Sequence, residues 1–276
     1  MIDAHLHLQK PPLCKRADQI VGRLRDLGVN KVVANGTSPT DWDEVAKLAE
    51  RFPEVIPSFG IHPWWTGSAE RGWEKELEKW LKYFPQAGVG EVGLDRWMRN
   101  PDLPRQRELF LHQVEIARKW KRPLSIHCLR AWGHLAECLD ESAYEAPFLL
   151  HSFGGPAELV DRFLEQGAYF SISGYFFRPE KRAKLDVFRF VPDHRILLET
   201  DAPDMALPEA LEEFPWQGEG EKSTNDPGNL RAVYEAFAEW AGKSFEEVEK
   251  QMERNFEAWY QHPATSERVI LSESIE

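Results

Sequence analysis

Met1-Ile2-Asp3-Ala4-His5-Leu6-His7 opens the chain, and how this stretch is read decides the rest. As a β-strand it sends successive side chains to opposite faces. Asp3, His5 and His7 then share one face, while Ile2, Ala4 and Leu6 turn to the other, into apolar packing. Two imidazoles two residues apart at a strand end project side by side and can reach one cation. The same pair also fits two packed or surface histidines, so the remainder of the sequence has to choose.

Short β-prone runs alternate with helical ones along the chain. The expected strands are Ile2–His7, Lys31–Asn35, Val55–Gly60, Val89–Leu94, Leu124–Cys128, Phe148–Phe153, Tyr169–Ser173 and Ile196–Asp201. Amphipathic helical stretches lie between them at Arg16–Leu27, Asp41–Arg51, Trp73–Tyr83, Pro104–Lys121 and Pro156–Gln166, with Arg130–Leu139 and Glu180–Phe190 also reading as helix. Leu77, Trp80, Leu81 and Phe84 illustrate the three-to-four spacing. About eight such units without a linker predict a single-domain (β/α)8 barrel over residues 1–263, followed by a loosely held tail, 264–276. An open, doubly wound sheet is the alternative; the even spacing of the units favours closure. The Glu-, Pro- and Gly-rich segment 206–227 predicts a long loop at the barrel mouth. Two closing helices follow, Gly228–Trp240 and Phe245–Tyr260, the second capped by Ser244.

In a parallel barrel the C-terminal strand ends converge on one mouth, where active sites sit. That map brings His5 and His7 of the first strand, Glu91 of the fourth, His127 of the fifth, His151 of the sixth and Asp201 of the eighth toward one small volume. Each alone has an ordinary structural reading, but their joint placement points to metal. Six nitrogen and oxygen donors exceed one tetrahedral site and suit two divalent ions about 3.5–4 Å apart. The reading gives His5, His7 and Asp201 to one ion, His127 and His151 to the other, and Glu91 to both as a bridge. Two carboxylates against two dications leave net positive charge, which favours an anionic substrate. Asp201 is also the expected general base, and Glu91 and Asp201 the catalytic carboxylates. His62, Arg130 and Trp64 are candidate substrate contacts. His62 fits packing equally, Trp64 and Trp65 fit ordinary packing ahead of base stacking, and Arg130 fits a solvent-facing helix start. Glu199 shares Asp201's side of the strand and is placed to orient a ligand.

The chain resembles the TatD family of metal-dependent hydrolases, within the amidohydrolase-like superfamily. The resemblance runs through Asp3-Ala4-His5-Leu6-His7-Leu8, Gly60-Ile61-His62-Pro63, Gly90-Glu91-Val92-Gly93-Leu94-Asp95, Ser125-Ile126-His127-Cys128, Leu150-His151-Ser152-Phe153-Gly154-Gly155 and Leu198-Glu199-Thr200-Asp201-Ala202-Pro203, and takes in Asn255. It implies a distorted TIM barrel and a metal-dependent deoxyribonuclease, often acting on DNA phosphodiesters from a 3′ end. The chain departs from the family where Trp64-Trp65 stand in place of small or polar residues, and in a longer loop after Asp201. The leading expectation is therefore 3′-5′ cleavage of single-stranded DNA ends with two zinc, manganese or magnesium ions. Hydrolysis of a small anionic ester, lactone or amide is the alternative, and a non-catalytic binding scaffold a third reading that the complete ligand set disfavours.

Composition limits the partners. A formal charge of -12 argues against broad electrostatic capture of nucleic acid, although bound dications reverse the field locally. No apolar run nears the ~20 residues that span a bilayer, and no signal segment opens the chain. Cys14, Cys128 and Cys138 lack metal-like pairing and suit free thiols in the cytoplasm. A monomer is expected. Gly88-Val89-Gly90-Glu91-Val92-Gly93 matches the dinucleotide fingerprint G-x-G-x-x-G, but a carboxylate sits inside it and β-type residues, not a helix, follow.

Overall fold

The expected strands form in order in the computed structural model, which describes residues 1–217 and 224–260. They are β1 (Ile2–Leu6), β2 (Lys31–Asn35), β3 (Val55–Ser58), β4 (Val89–Asp95), β5 (Leu124–Leu129), β6 (Phe148–Leu150), β7 (Ala168–Ser173) and β8 (Ile196–Glu199). The helices are α1 (Ala17–Asp26), α2 (Trp42–Arg51), α3 (Trp73–Tyr83), α4 (Leu103–Trp120), α5 (Trp132–Ser142), α6 (Val160–Glu165), α7 (Arg182–Leu185), α8 (Leu230–Ala241) and α9 (Phe245–Trp259). None of the described helices is long and apolar enough to cross a membrane. The tail 264–276, and 218–223 of the loop expected over 206–227, lie outside the described residues.

Every strand pair is parallel. β1, β2 and β3 make one ladder and β4 to β8 another. Backbone bonds close two seams between them. At the first, Gly88 N–H donates to Pro57 O and Phe59 N–H to Gly88 O, at 3.0 and 3.1 Å. At the second, Asp201 N–H donates to His5 O and His7 N–H to Ala202 O, at 3.0 and 2.7 Å. The result is a closed, distorted (β/α)8 barrel, as the spacing of the units predicts.

The opening strand departs from strict alternation. Asp3 lies beside Val32 and Leu6 beside Ala34, so β1 spends three steps where β2 spends two. The extra residue reverses the alternation between them, as β-bulges do. Asp3 therefore shares the outer side with Leu6 and not the histidine face: its carboxylate accepts Thr200 N–H at 3.0 Å and Thr200 Oγ1–H at 2.6 Å. Ile2 and Ala4 turn inward instead, clustering with Val33, Leu149, Tyr169 and Leu197. β4 repeats the device, because Val89 lies beside Leu124 and Val92 beside Ile126.

The closing helices plug the end of the barrel opposite the mouth. Phe256, Trp259 and Tyr260, in and just after α9, complete that inner cluster. Asn255 explains its place in the motif set: its amide donates to Asp193 O and Ile196 O, at 2.7 and 2.6 Å, fixing the entry to β8. Ser244 caps α9 as expected, with the reciprocal bond from Ser244 N–H to Glu247. On α8 the buried Tyr234 hydroxyl accepts from Ile2 N–H at 3.0 Å and donates to Ile2 O at 2.8 Å. Tyr234→Phe strands both backbone groups away from water. It is expected to lower stability by about 1–3 kcal/mol in urea unfolding.

Two expected helices are broken. Pro156–Gln166 starts as a 3-10 turn, Ala157–Leu159, before α6. Glu180–Phe190 divides into a 3-10 turn Pro179–Lys181, the four-residue α7, and a second 3-10 turn Asp186–Phe190. Pro192 holds Val191 extended and ends the run. The described part of the mouth loop is pinned by Asn229, whose amide bonds the backbone of Glu213 and Phe214. The carboxylate of Asp226 is held by Arg23 of α1.

Candidate metal centre

His5, His7, Asp201, His127 and His151, from four other strand ends, gather around Glu91 of β4. On one side, Glu91 Oε2 lies 3.7 Å from His5 Nε2 and 3.2 Å from His7 Nε2. Asp201 Oδ1 stands 3.7 and 3.6 Å from the same two nitrogens. On the other side, Glu91 Oε1 lies 3.0 Å from His127 Nδ1 and 2.8 Å from His151 Nε2. Each carboxylate oxygen of Glu91 thus faces its own set of imidazoles, His62 joining His127 and His151 on the Oε1 side. The rings pack closely, with His5 stacked on His151 at 4.0 Å between centroids.

The positions of these groups follow from the ends of their strands. His5 and His7 straddle the end of β1, and His127 lies beside Gly93 in the β4–β5 register. His151 follows β6 directly, its N–H donating to Ile126 O. Asp201 adopts φ +52° just past β8, a left-handed conformation that aspartate tolerates better than most residues.

Hydrogen-bond partners fix which ring nitrogens carry protons. His7 Nδ1 lies 2.7 Å from the carbonyl of Asn35, which can only accept, so the neutral ring keeps its Nε2 lone pair toward Glu91 and Asp201. His127 Nε2 lies 3.2 Å from Asp95 Oδ2, which leaves Nδ1 to face Glu91. His5 Nδ1 meets Ser125 Oγ at 2.8 Å, while its buried Nε2 has no hydrogen-bond partner. Lone pairs aimed at carboxylate oxygens repel unless a positive charge lies between them. Together with the orphaned Nε2 of His5, this donor set fits divalent cations.

Electrostatics divide the cluster: burial opposes charge on His151 and His127, yet Glu91 and Glu199 raise the first well above its ordinary value and Asp95 and Glu91 raise the second. Burial takes His5 down to about 3, and it lowers His62 well below its ordinary value. Burial also opposes charge on Glu91, but His62, His151 and His127 hold its carboxyl well below the usual range. Asp201 goes the other way: burial pushes it well up, with Glu199 and Glu91 adding to the effect against the pull of His151.

The remaining sequence candidates divide. His62 sits inside the cluster, its Nε2 3.4 Å from Glu91 Oε1 and its Nδ1 accepting Trp64 N–H at 3.1 Å. The proton of the neutral ring therefore rides on Nε2, and His62 is a donor where its neighbours offer lone pairs. Trp64 lies at the rim, its indole N–H donating to Asp95 Oδ2 at 2.5 Å. Arg130 is exposed just past β5 and has no hydrogen bond or ion pair among the described residues. Glu199 is fully buried, accepting Ser152 N–H at 2.8 Å and standing 3.6 Å from His151 Nδ1. Asp95 was not among the candidate site residues, yet it holds His127; its signal was the inward alternation Glu91, Gly93, Asp95.

The comparisons with known proteins agree with this geometry. The family model for TatD related DNase matches residues 2–261. The chain is 29% identical over 211 residues to the uncharacterized metal-dependent hydrolase YjjV of Escherichia coli, covering 75% of this chain and 80% of that one. It is 27% identical over 246 residues to the 3′-5′ ssDNA/RNA exonuclease TatD of Shigella flexneri, covering 88% of this chain and 92% of that one. The crystal structure of the Escherichia coli YjjV protein superposes with a TM-score of 0.85 at 26% identity, over 94% of this chain and 97% of that chain. A match from one end of the barrel to the other, over a mouth whose donors are set for divalent cations, makes this chain a member of the TatD related DNase family and a metal-dependent hydrolase.

Proposed function

We propose that the chain is a two-metal exonuclease that removes nucleotides from the 3′ ends of single-stranded nucleic acid. The carrying observation is the divided carboxylate of Glu91, one oxygen toward His5 and His7 and the other toward His127 and His151. In this reading His5, His7 and Asp201 would hold one divalent ion and His127 and His151 the other, with Glu91 shared between them. Such ions lower the pKa of coordinated water to ~7 and offset charge growing on the attacked phosphorus.

The chain's own groups do the rest. Asp201 takes the proton of the attacking water. His62 presents its Nε2 proton to a phosphoryl oxygen. Asp95 and Glu199 keep the rings of His127 and His151 turned to their task. The substrate assignment draws on the Shigella flexneri relative, named for acting on ssDNA and RNA.

The test is digestion of oligonucleotides after chelation and again with Mg²⁺, Mn²⁺ or Zn²⁺ restored, beside panels of lactones, amides and small phosphoesters. Expected are mononucleotides released stepwise from the 3′ end, only with metal present. Turnover of a small ester with every oligonucleotide left intact would overturn the nuclease reading.

A further inference from the structure

Asp95 serves both the ring of His127 and the rim of the mouth. Its Oδ2 accepts from His127 Nε2 at 3.2 Å and from Trp64 Nε1 at 2.5 Å. Its Oδ1 accepts Trp97 N–H at 2.6 Å and Met98 N–H at 3.2 Å. The backbone of Asp95 is clamped in turn by Gln106, which donates to its carbonyl and accepts its N–H at 3.0 and 2.8 Å. A carboxylate held from behind on α4 thus grips a ring beside Glu91 and the edge of an indole.

Trp64 is 48% exposed, so the tether fixes one edge while much of the ring faces solvent. Its backbone N–H is also spent on His62 Nδ1, and the His62 ring meets the indole edge-on at 5.1 Å. Trp64 therefore holds one orientation against the two histidines nearest the mouth. Trp65, 50% exposed in the same 3-10 turn, Pro63–Ser68, has no such anchor for its indole. An exposed apolar ring at a protein surface is ordinary. One locked by its polar edge to a carboxylate that also orients a ring of the reactive cluster is a pre-organised contact surface.

We propose that Trp64 is a specificity-determining seat for the base of the nucleotide being released, and that Asp95 is the positioning residue that sets this seat against His127. The proposal deepens the nuclease reading by naming what the site grips besides phosphate. A base stacks on an indole face whatever its identity, so the seat selects for a base without selecting among bases. Trp65 and Trp97 take no part.

The test is calorimetric binding of deoxyadenosine 5′-monophosphate and of deoxyribose 5-phosphate to protein equilibrated with Mg²⁺. The wild-type chain is expected to hold the base-bearing ligand about tenfold to a hundredfold more tightly, the range base–aromatic stacking supplies. Trp64→Ala is expected to bring the two affinities together, and Trp65→Ala to leave their ratio as in the wild type. Trp64→Phe keeps a flat ring and deletes the donor to Asp95. It is expected to lose several-fold of the ratio, and it carries the test should the alanine variant not fold. Equal affinities in the wild type, a ratio that survives Trp64→Ala, or a Trp65→Ala loss of the same size overturns the seat. A Trp64→Phe ratio equal to the wild type overturns the role of Asp95. Because the readout is binding of a mononucleotide, it can succeed or fail independently of strand digestion.

Discussion

Glu91→Ala is expected to fold and yet to bind fewer than two metal ions per chain, with hydrolysis reduced about a thousandfold. That is the scale of losing a group that organises charge at a reacting centre. The two oxygens of the carboxylate face separate sets of imidazoles, Oε2 toward His5 and His7 and Oε1 toward His62, His127 and His151, at 2.8 to 3.7 Å. Removing it leaves His5, His7 and Asp201 without a shared anion and His127 and His151 with no acid between them. Metal content by mass spectrometry after exhaustive dialysis checks the assignment, with circular dichroism confirming the fold. A count still at two ions per chain would defeat the bridging role. Glu91→Gln sharpens the test, since it keeps the shape and one carbonyl oxygen but removes the charge that offsets cation–cation repulsion. It is expected to resemble the alanine variant in metal count.

Gly93→Ala is expected to be the most damaging of the single methyl additions. Gly93 has φ +149°, and a Cβ there would stand 1.9 Å from His127 O and 2.8 Å from His127 C. Both contacts are backbone atoms of the neighbouring strand, which no side-chain rotation relieves. Strain at the torsion and the clash together are expected to lower stability by about 3 kcal/mol or more. Because the displaced residue is His127, weaker metal binding should accompany the loss. Gly22→Ala is the control: it lies inside α1 with nothing within 4 Å of its added Cβ. It is expected to gain about 0.5–1 kcal/mol from helix preference. Urea unfolding of both variants decides; a Gly93→Ala midpoint equal to that of the wild type would sink the steric argument.

The barrel was legible because parallel strands buried on both faces read as apolar runs and helices as three-to-four patterns. Both signals survive small errors at their ends. The six metal candidates were legible for a related reason. Residues at strand ends converge at the mouth whatever the details of the loops, so His5, His7, Glu91, His127, His151 and Asp201 could be gathered before any distance was known. What failed was the finer rule of strict alternation. The extra residue in β1 sends Asp3 to Thr200, outside the barrel, while Ile2 and Ala4 turn in. No composition cue marks it, because a bulge is set by the register of the neighbouring strand.

Roles set by tautomer were illegible too. His62 and His127 are the same residue type, one past β3 and the other at the end of β5. Only the backbone N–H of Trp64 behind the one and the carboxylate of Asp95 behind the other tell a donor from a lone pair. Arg130 was named for its charge, and the structure gives it an exposed position with no hydrogen bond or ion pair among the described residues.

The barrel's division into a three-strand and a five-strand ladder has a mechanical consequence. His5 and His7 ride on the smaller ladder, whereas Glu91, His127 and His151 ride on the larger, and Asp201 lies past β8 where the two are stitched by its bond to His5. Cations held as proposed act as rivets between two staves of one cask. Occupancy should therefore raise the melting temperature, by mass action on the folded form.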